Sequence, residues 1–201
     1  MSALAASERV FEVLDIVPDV KDEPGVRAPA TRLTGEIEFR QVHFHYRPEA
    51  PILSDVSLIV RAGERVALVG PSGAGKSTTL KLLTRSYDVT GGEIMIDGHD
   101  LRRMPVAYLR SQIGLVQQEP FLFNGTVREN LLYGNLAASH DDVVAAAKAA
   151  RAHEFSVNLP EGYDTWIGER GVKLSVGQRQ RVAIARSLAM RPEAMLFDEP
   201  T

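Results

Sequence analysis

Residues 70–78 read GPSGAGKST. This stretch matches the phosphate-loop pattern G-x-x-x-x-G-K-[ST] at every constrained position. Gly70, Gly73 and Gly75 let the backbone turn where a Cβ would clash, so the N–H groups of the loop, which also holds Pro71, Ser72 and Ala74, point inward at an anion. Lys76 adds a positive charge that reaches the β- and γ-phosphates, and Ser77 a hydroxyl for Mg²⁺. The helix that carries Ser77 and Thr78 turns its positive end toward the same place. On one side, RVALV at 65–69 is a short apolar, β-branched run that reads as a strand entering the loop. On the other, 77–85 carries Leu80, Leu82 and Leu83 and reads as a helix leaving it. Strand, Gly-rich loop and helix are the setting the motif requires, so the loop is read as nucleotide-binding.

A phosphate loop also needs a carboxylate at the end of a neighbouring strand. AMLFDE at 194–199 supplies four apolar residues followed by two acids. Asp198 is the candidate to hold Mg²⁺, directly or through water, and Glu199 the candidate general base for an attacking water. Alone, an acidic pair ending a strand is an ordinary loop start; the phosphate loop gives it meaning. The 122-residue interval from Lys76 to Asp198 exceeds what a bare core needs. An inserted subdomain is therefore expected between them.

The 201 residues suffice for one α/β domain with a small subdomain. A net charge of −3 gives no general bias towards nucleic acid. The absence of Cys excludes disulfides, zinc-thiolate sites and a Cys nucleophile. No apolar run approaches 18 residues, and the first six residues lack the basic start of a signal peptide.

Along the chain, 7–16 has an amphipathic helical pattern with Ser7 as its cap. Residues 18–35 are rich in Pro, Gly and charge and read as a linker. Residues 36–46 alternate through Ile37, Phe39, Val42, Phe44 and Tyr46 with one break in register, which predicts a strand. His43 and His45 fall on its other face as solvated residues rather than metal ligands. Further strands are expected at 57–60, 93–97, 113–116 and 194–197, with a tight turn at Asp97 and Gly98. Helices are expected at 126–133, 141–152 and 176–190.

LSVGQRQR at 174–181 resembles the L-S-G-G-Q signature of ATP-binding cassette (ABC) proteins, with Val176 in place of the first glycine. Without its surroundings the same stretch is a capped amphipathic helix, with Ser175 as cap and Arg179 and Arg181 solvated. VQQEP at 116–120 resembles the family's Q-loop, and Tyr46 sits where its A-loop aromatic stacks on adenine. The resemblance covers 36–201. It implies a P-loop NTPase core of the ABC ATPase type, an α/β fold with an N-terminal antiparallel β part and an inserted α-helical subdomain at roughly 119–190. Gln118 would contact Mg²⁺ or the attacking water, although either Gln117 or Gln118 fits. Two such domains would sandwich ATP, with Ser175, Gly177 and Gln178 meeting the nucleotide held by the partner domain.

Two segments point to a branch of the family. TWIGERG at 165–171 resembles the stretch before the signature in exporters, where it meets the transmembrane part. Residues 7–15 resemble the stretch after the last transmembrane helix of exporters. The resemblance thus implies the ATP-binding and hydrolysing domain of an exporter. It would act with a second ABC domain and a transmembrane domain outside this chain, at the cytoplasmic face of a membrane. Residues 1–35 would be the connection from that domain. The alternatives are a soluble ABC ATPase without a membrane partner and a non-catalytic truncated remnant. The family continues past the position of Thr201 with a central strand and a switch His, so an incomplete domain lacking turnover is expected. Val176 is expected to weaken the signature if its position needs a positive φ.

Overall fold

The computed structural model describes residues 3–198, with side chains from Glu8 onward; Glu199, Pro200 and Thr201 lie outside the described residues. Helix α1 (Ala3–Leu14) is followed by two long strands, β1 (Ile37–Arg47) and β2 (Ala50–Val60). Helix α2 (Lys76–Leu83) leaves the phosphate loop, and β3 (Gly91–Ile96) and β4 (His99–Asp100) form a hairpin. Helix α3 (Val106–Ser111) leads into β5 (Ile113–Val116). The helical region holds α4 (Val127–Leu132), α5 (His140–Ala149), α6 (His153–Ser156) and α7 (Val176–Ala189), and β6 (Ala194–Phe197) follows.

The strands form two sheets. One is antiparallel in the order β2-β1-β3-β4, and the other pairs β5 with β6 in parallel. The register break expected in β1 is present. Gln41 takes φ 46, and the pairing with β3 shifts between Arg40 and His43. The extra residue moves the inward face from odd to even positions, so Ile37, Phe39, Val42 and Phe44 are all buried. Asp97 and Gly98 both have positive φ, as a two-residue hairpin turn with this twist requires.

Residues 65–69 depart from expectation. They form no strand, and Val69 is 90% exposed. Their apolar pattern favours an extended chain, but a strand is defined by its ladder, and among the described residues neither β5 nor β6 pairs with this segment.

Two separate cores result. Ile37, Phe39, Val42, Leu82, Ile94, Leu109, Ile113 and Leu196 join the antiparallel sheet to α2, α3 and the parallel pair. Leu122, Val127, Leu131, Val143, Ile167, Leu174 and Val182 make the second core, within the helical region. Its three longest helices all start on capping boxes, at Thr126, Ser139 and Ser175.

Helix α1 begins before Ser7, which therefore lies inside the helix and does not cap it. Val10, Phe11, Val13 and Leu14 are all exposed. Among the described residues no helix is long and apolar enough to cross a membrane. Residues 18–35 carry no helix or strand, yet they are fastened to the domain at several points. Leu33 is 4% exposed within the first core. Asp22 accepts from Val106 N at 2.9 Å and from Arg85 Nη1 at 3.3 Å. Gly35 takes φ +90, and a Cβ there would lie 2.9 Å from the Glu193 carbonyl oxygen.

Asp97 closes this strap. It accepts from Thr34 N and Oγ1, Gly35 N and Glu36 N. Partial burial pushes its carboxyl up, but these four donors outweigh burial and hold it below the usual carboxylate range. A carboxylate lowered in the folded state stabilises fully above its unfolded pKa of about 3.9, and this contribution is lost as pH falls through the folded pKa. Asn tolerates the left-handed backbone at this position. Asp97→Asn is therefore expected to cost about 1 kcal/mol at neutral pH, and to flatten the loss of stability below about pH 4. Denaturant melts from neutral to acid pH measure both.

Candidate functional site

The phosphate loop is shaped by two glycines with positive φ, Gly73 at 83° and Gly75 at 90°. Gly75 has a second constraint: a Cβ would lie 2.8 Å from Leu53 Cδ2, a core side chain of β2. No side chain caps α2, so its first N–H groups face the loop. Lys76 Nζ donates to the carbonyls of Gly70 at 2.9 Å and Pro71 at 3.0 Å. Its ammonium is thereby held across the mouth of the loop.

The acidic strand meets this loop. Ser77 Oγ donates to Asp198 Oδ1 at 2.8 Å, although 121 residues separate them. Asp198 N donates to Val116 O at 3.0 Å. Because β5 and β6 run parallel with Val116 opposite Phe197, the chain leaves both strands at the same end. Gln117 and Gln118 are exposed there, beside the position of Asp198. Glu199, the candidate base, lies outside the described residues.

Tyr46 comes to the start of α2. Its hydroxyl lies 3.3 Å from Thr78 Oγ1, and the Lys81 ammonium sits 5.9 Å from its ring centroid. The ring remains half exposed. His43 is also exposed, and its Nδ1 accepts from Asp55 N at 3.3 Å. No group of three or more metal-binding side chains occurs among the described residues.

The signature residues are placed elsewhere. Ser175 Oγ accepts from Gln178 N at 3.2 Å, and Gln178 Oε1 accepts from Ser175 N at 2.9 Å. They thus cap α7 on the second core and make no hydrogen bond to the loop. Val176 lies in the first turn of α7, exposed and outside the positive-φ region. The strain that would have weakened the signature is therefore absent. Gly177 meets nothing within 4 Å of an added Cβ, so packing within this chain does not require a glycine there. Arg179 and Arg181 are not simply solvated: they donate to the carbonyls of Leu174 at 2.8 Å and Arg151 at 3.3 Å.

Two residues that organise the region after Gln118 were not singled out by any motif. Asn130 is fully buried. Its Oδ1 accepts from Phe123 N at 2.8 Å, and its Nδ2 donates to the carbonyls of Phe123 and Thr126, each at 3.0 Å. Arg186, on α7, donates to Asn130 Oδ1 at 2.8 Å, Asn130 O at 3.0 Å and Phe121 O at 2.9 Å. It also lies over the rings of Phe123 and Tyr133. Burial lowers its pKa, but a guanidinium remains charged. Arg186→Leu would strip the donor from three acceptors at once. It is expected to lower stability by about 3 kcal/mol, against less than about 1 kcal/mol for Arg181→Leu; denaturant midpoints of the two variants test the difference.

Residues 53–201 match the sequence model of the family described as ABC transporter. The chain is 49% identical over 199 residues to the ATP-dependent lipid A-core flippase of Syntrophus aciditrophicus, which is 98% of this chain and 33% of that protein. It is 49% identical over 201 residues to ABC transporter B family member 15 of Arabidopsis thaliana, 99% of this chain and 16% of that protein. A solved structure of a bacterial Atm1-family ABC exporter with ATP bound shares the fold with a TM-score of 0.91 at 45% identity, over 98% of this chain and 34% of that one. The chain thus spans about a third or less of the length of these relatives. Its mixed α/β architecture is that of the ABC ATPase domain, and likeness in sequence and structure extends over nearly all of it, so the chain belongs to the ABC transporter family.

Proposed function

We propose that this chain is the ATP-binding and ATP-hydrolysing domain of an exporter, coupling nucleotide binding and hydrolysis to transport by a membrane domain. The hydrogen bond between Ser77 and Asp198 carries the reading. It sets a hydroxyl and a carboxylate side by side at the mouth of a loop built for phosphates. Mg²⁺ prefers hard oxygen donors of this kind and is held by few protein groups, with substrate phosphates supplying others. The donor set therefore fits, and the ion when bound neutralises charge on the β- and γ-phosphates. Gly70, Pro71, Ser72, Gly73, Ala74, Gly75, Lys76, Ser77 and Thr78 cradle the phosphates, Tyr46 stacks on the base, and Ser77, Asp198 and Gln118 serve the metal. Glu199 takes the proton of the attacking water, Gln118 orients that water, and Lys76 stabilises charge on the transferred group.

Ser175, Gly177 and Gln178 are assigned to the nucleotide of a second ABC domain. Gly177 supports this, because no packing contact among the described residues demands a glycine there. The exporter reading over a soluble ATPase is supported by the reach of the similarity. The flippase match covers 98% of the chain, so it extends into the segment before the first strand. That segment includes α1 with its exposed Val10, Phe11, Val13 and Leu14. On this reading the domain works on the cytoplasmic face of a membrane, and nucleic acid is not a partner.

Calorimetric titration of the chain with ATP, with and without Mg²⁺, tests the site. Ser77→Ala and Asp198→Ala are each expected to remove most of the Mg²⁺ enhancement of affinity while ATP alone still binds. Equal enhancement in the wild type and both variants would contradict the assignment. In a protein competent for turnover, Glu199→Gln is expected to slow phosphate release at least about 100-fold with ATP affinity little changed. For the 201-residue chain itself, steady-state phosphate release is expected to stay below about 1 s⁻¹, the low end of ordinary turnover. The reason is that no strand among the described residues pairs with 65–69, which feeds the loop.

A further inference from the structure

Helix α2 closes on a residue that is rarely found in such a turn. Arg85 takes φ 48. Ser86 N donates to Lys81 O and Arg85 N to Leu82 O, at 2.8 and 2.9 Å. This pair of bonds ends a helix through one left-handed residue, usually Gly. Here the side chain compensates for the backbone. Arg85 is 2% exposed, and every arm of its guanidinium is used: Nε on Asp88 at 2.9 Å, Nη1 on Met104 O at 3.1 Å and Asp22 at 3.3 Å, and Nη2 on Lys21 O at 3.2 Å. The direction in which the chain leaves α2 is thereby fixed.

That direction brings Tyr87 to Tyr46. Their ring centroids are 5.1 Å apart with the planes at 83°. Phe44 meets Tyr46 at 4.9 Å and 87°, and lies 5.8 Å from Tyr87. Tyr46 is thus held by two rings perpendicular to it, by Thr78 at its hydroxyl and by the Lys81 ammonium. A half-exposed Tyr near the end of a strand otherwise samples several rotamers, and each one frozen on binding weakens affinity.

We infer that Tyr87 is a positioning residue for the nucleobase: it sets the plane of Tyr46 and so favours a nucleotide carrying a planar base over a bare polyphosphate. The inference rests on Tyr46 being the base platform. It predicts an effect confined to the base, because Tyr87 contributes to the ring cluster and not to the phosphate loop.

The test compares ATP with inorganic triphosphate, which lacks a base, in calorimetric titrations of the 201-residue chain with Mg²⁺. Tyr87→Ala is expected to weaken ATP about 5-fold, the scale of one lost aromatic pair, and to leave triphosphate within about 2-fold. Tyr87→Phe keeps the ring and is expected to restore wild-type ATP affinity. Tyr46→Ala is expected to weaken ATP at least as much as Tyr87→Ala, again sparing triphosphate. Unchanged ATP affinity in Tyr87→Ala, equal weakening of ATP and triphosphate, or failure of Tyr87→Phe to restore affinity would overturn the positioning role while the platform stands. If Tyr46→Ala binds ATP normally, or the wild type binds ATP no better than triphosphate, the platform itself fails and the role of Tyr87 falls with it.

Discussion

The hydrogen bond from Ser77 to Asp198 joins two points 121 residues apart in the chain. Everything between them has to leave the phosphate loop and return to within 2.8 Å of it. The hairpin of β3 and β4 stays with the antiparallel sheet, α3 turns the chain into β5, and the helical region makes an excursion with its own core. Only then does β6 come back beside β5. A parallel pair can be made only by such a crossover, so the insertion between the strands is a topological need as much as an elaboration. A slip of one residue between β5 and β6 would turn every side chain of β6 to its other face. It would also carry Asp198 away from Ser77.

The two cores are connected chiefly through α7. Ser175 caps it and Gln178 sits in its first turn, on the second core, and in its last turn Ser187 Oγ donates to Leu115 O on β5 at 3.2 Å. Fourteen residues of helix span about 21 Å, so one rigid element joins the signature to the strand that leads into Gln118. Arg186 ties the same end of the helix to Phe121 and Asn130 just beyond that glutamine. A tilt of α7 about its base would therefore be felt at the Q-loop segment.

The parts legible in the sequence are those fixed by local chemistry. GPSGAGKST dictates a turn that only glycines at 73 and 75 can follow, and the even and odd apolar positions of 36–46 contain the bulge at Gln41. The capping boxes at Thr126, Ser139 and Ser175 lie close to expected helix starts for the same reason. The strand expected at 65–69 did not form because a ladder depends on a neighbour, which a pattern of Val, Ala and Leu does not encode. Arg85, Asn130 and Arg186 escaped notice because their meaning comes from partners as far as 65 residues away in sequence. A lone Arg on a helix reads as a solvated charge until the carbonyls around it are known. Conversely, Ser175 and Gln178 satisfied the plain expectation of a helix cap, and nothing in their hydrogen bonds separates that duty from the family role. Gly177 differs from both, since no packing contact among the described residues explains its missing side chain.

The strap at 18–35 bears on where the unit that folds begins. The segment matching the family model starts at residue 53, inside β2, which would cut the longest hairpin of the molecule. A start at Ile37 keeps both strands but removes Leu33 from the first core. It also takes away Asp22 and the Lys21 carbonyl, two of the acceptors that surround the buried guanidinium of Arg85. The smallest piece of this chain that keeps its charges paired and its core covered therefore opens at about Lys21. The strap that covers the core thus lies well upstream of residue 53, where the family model begins.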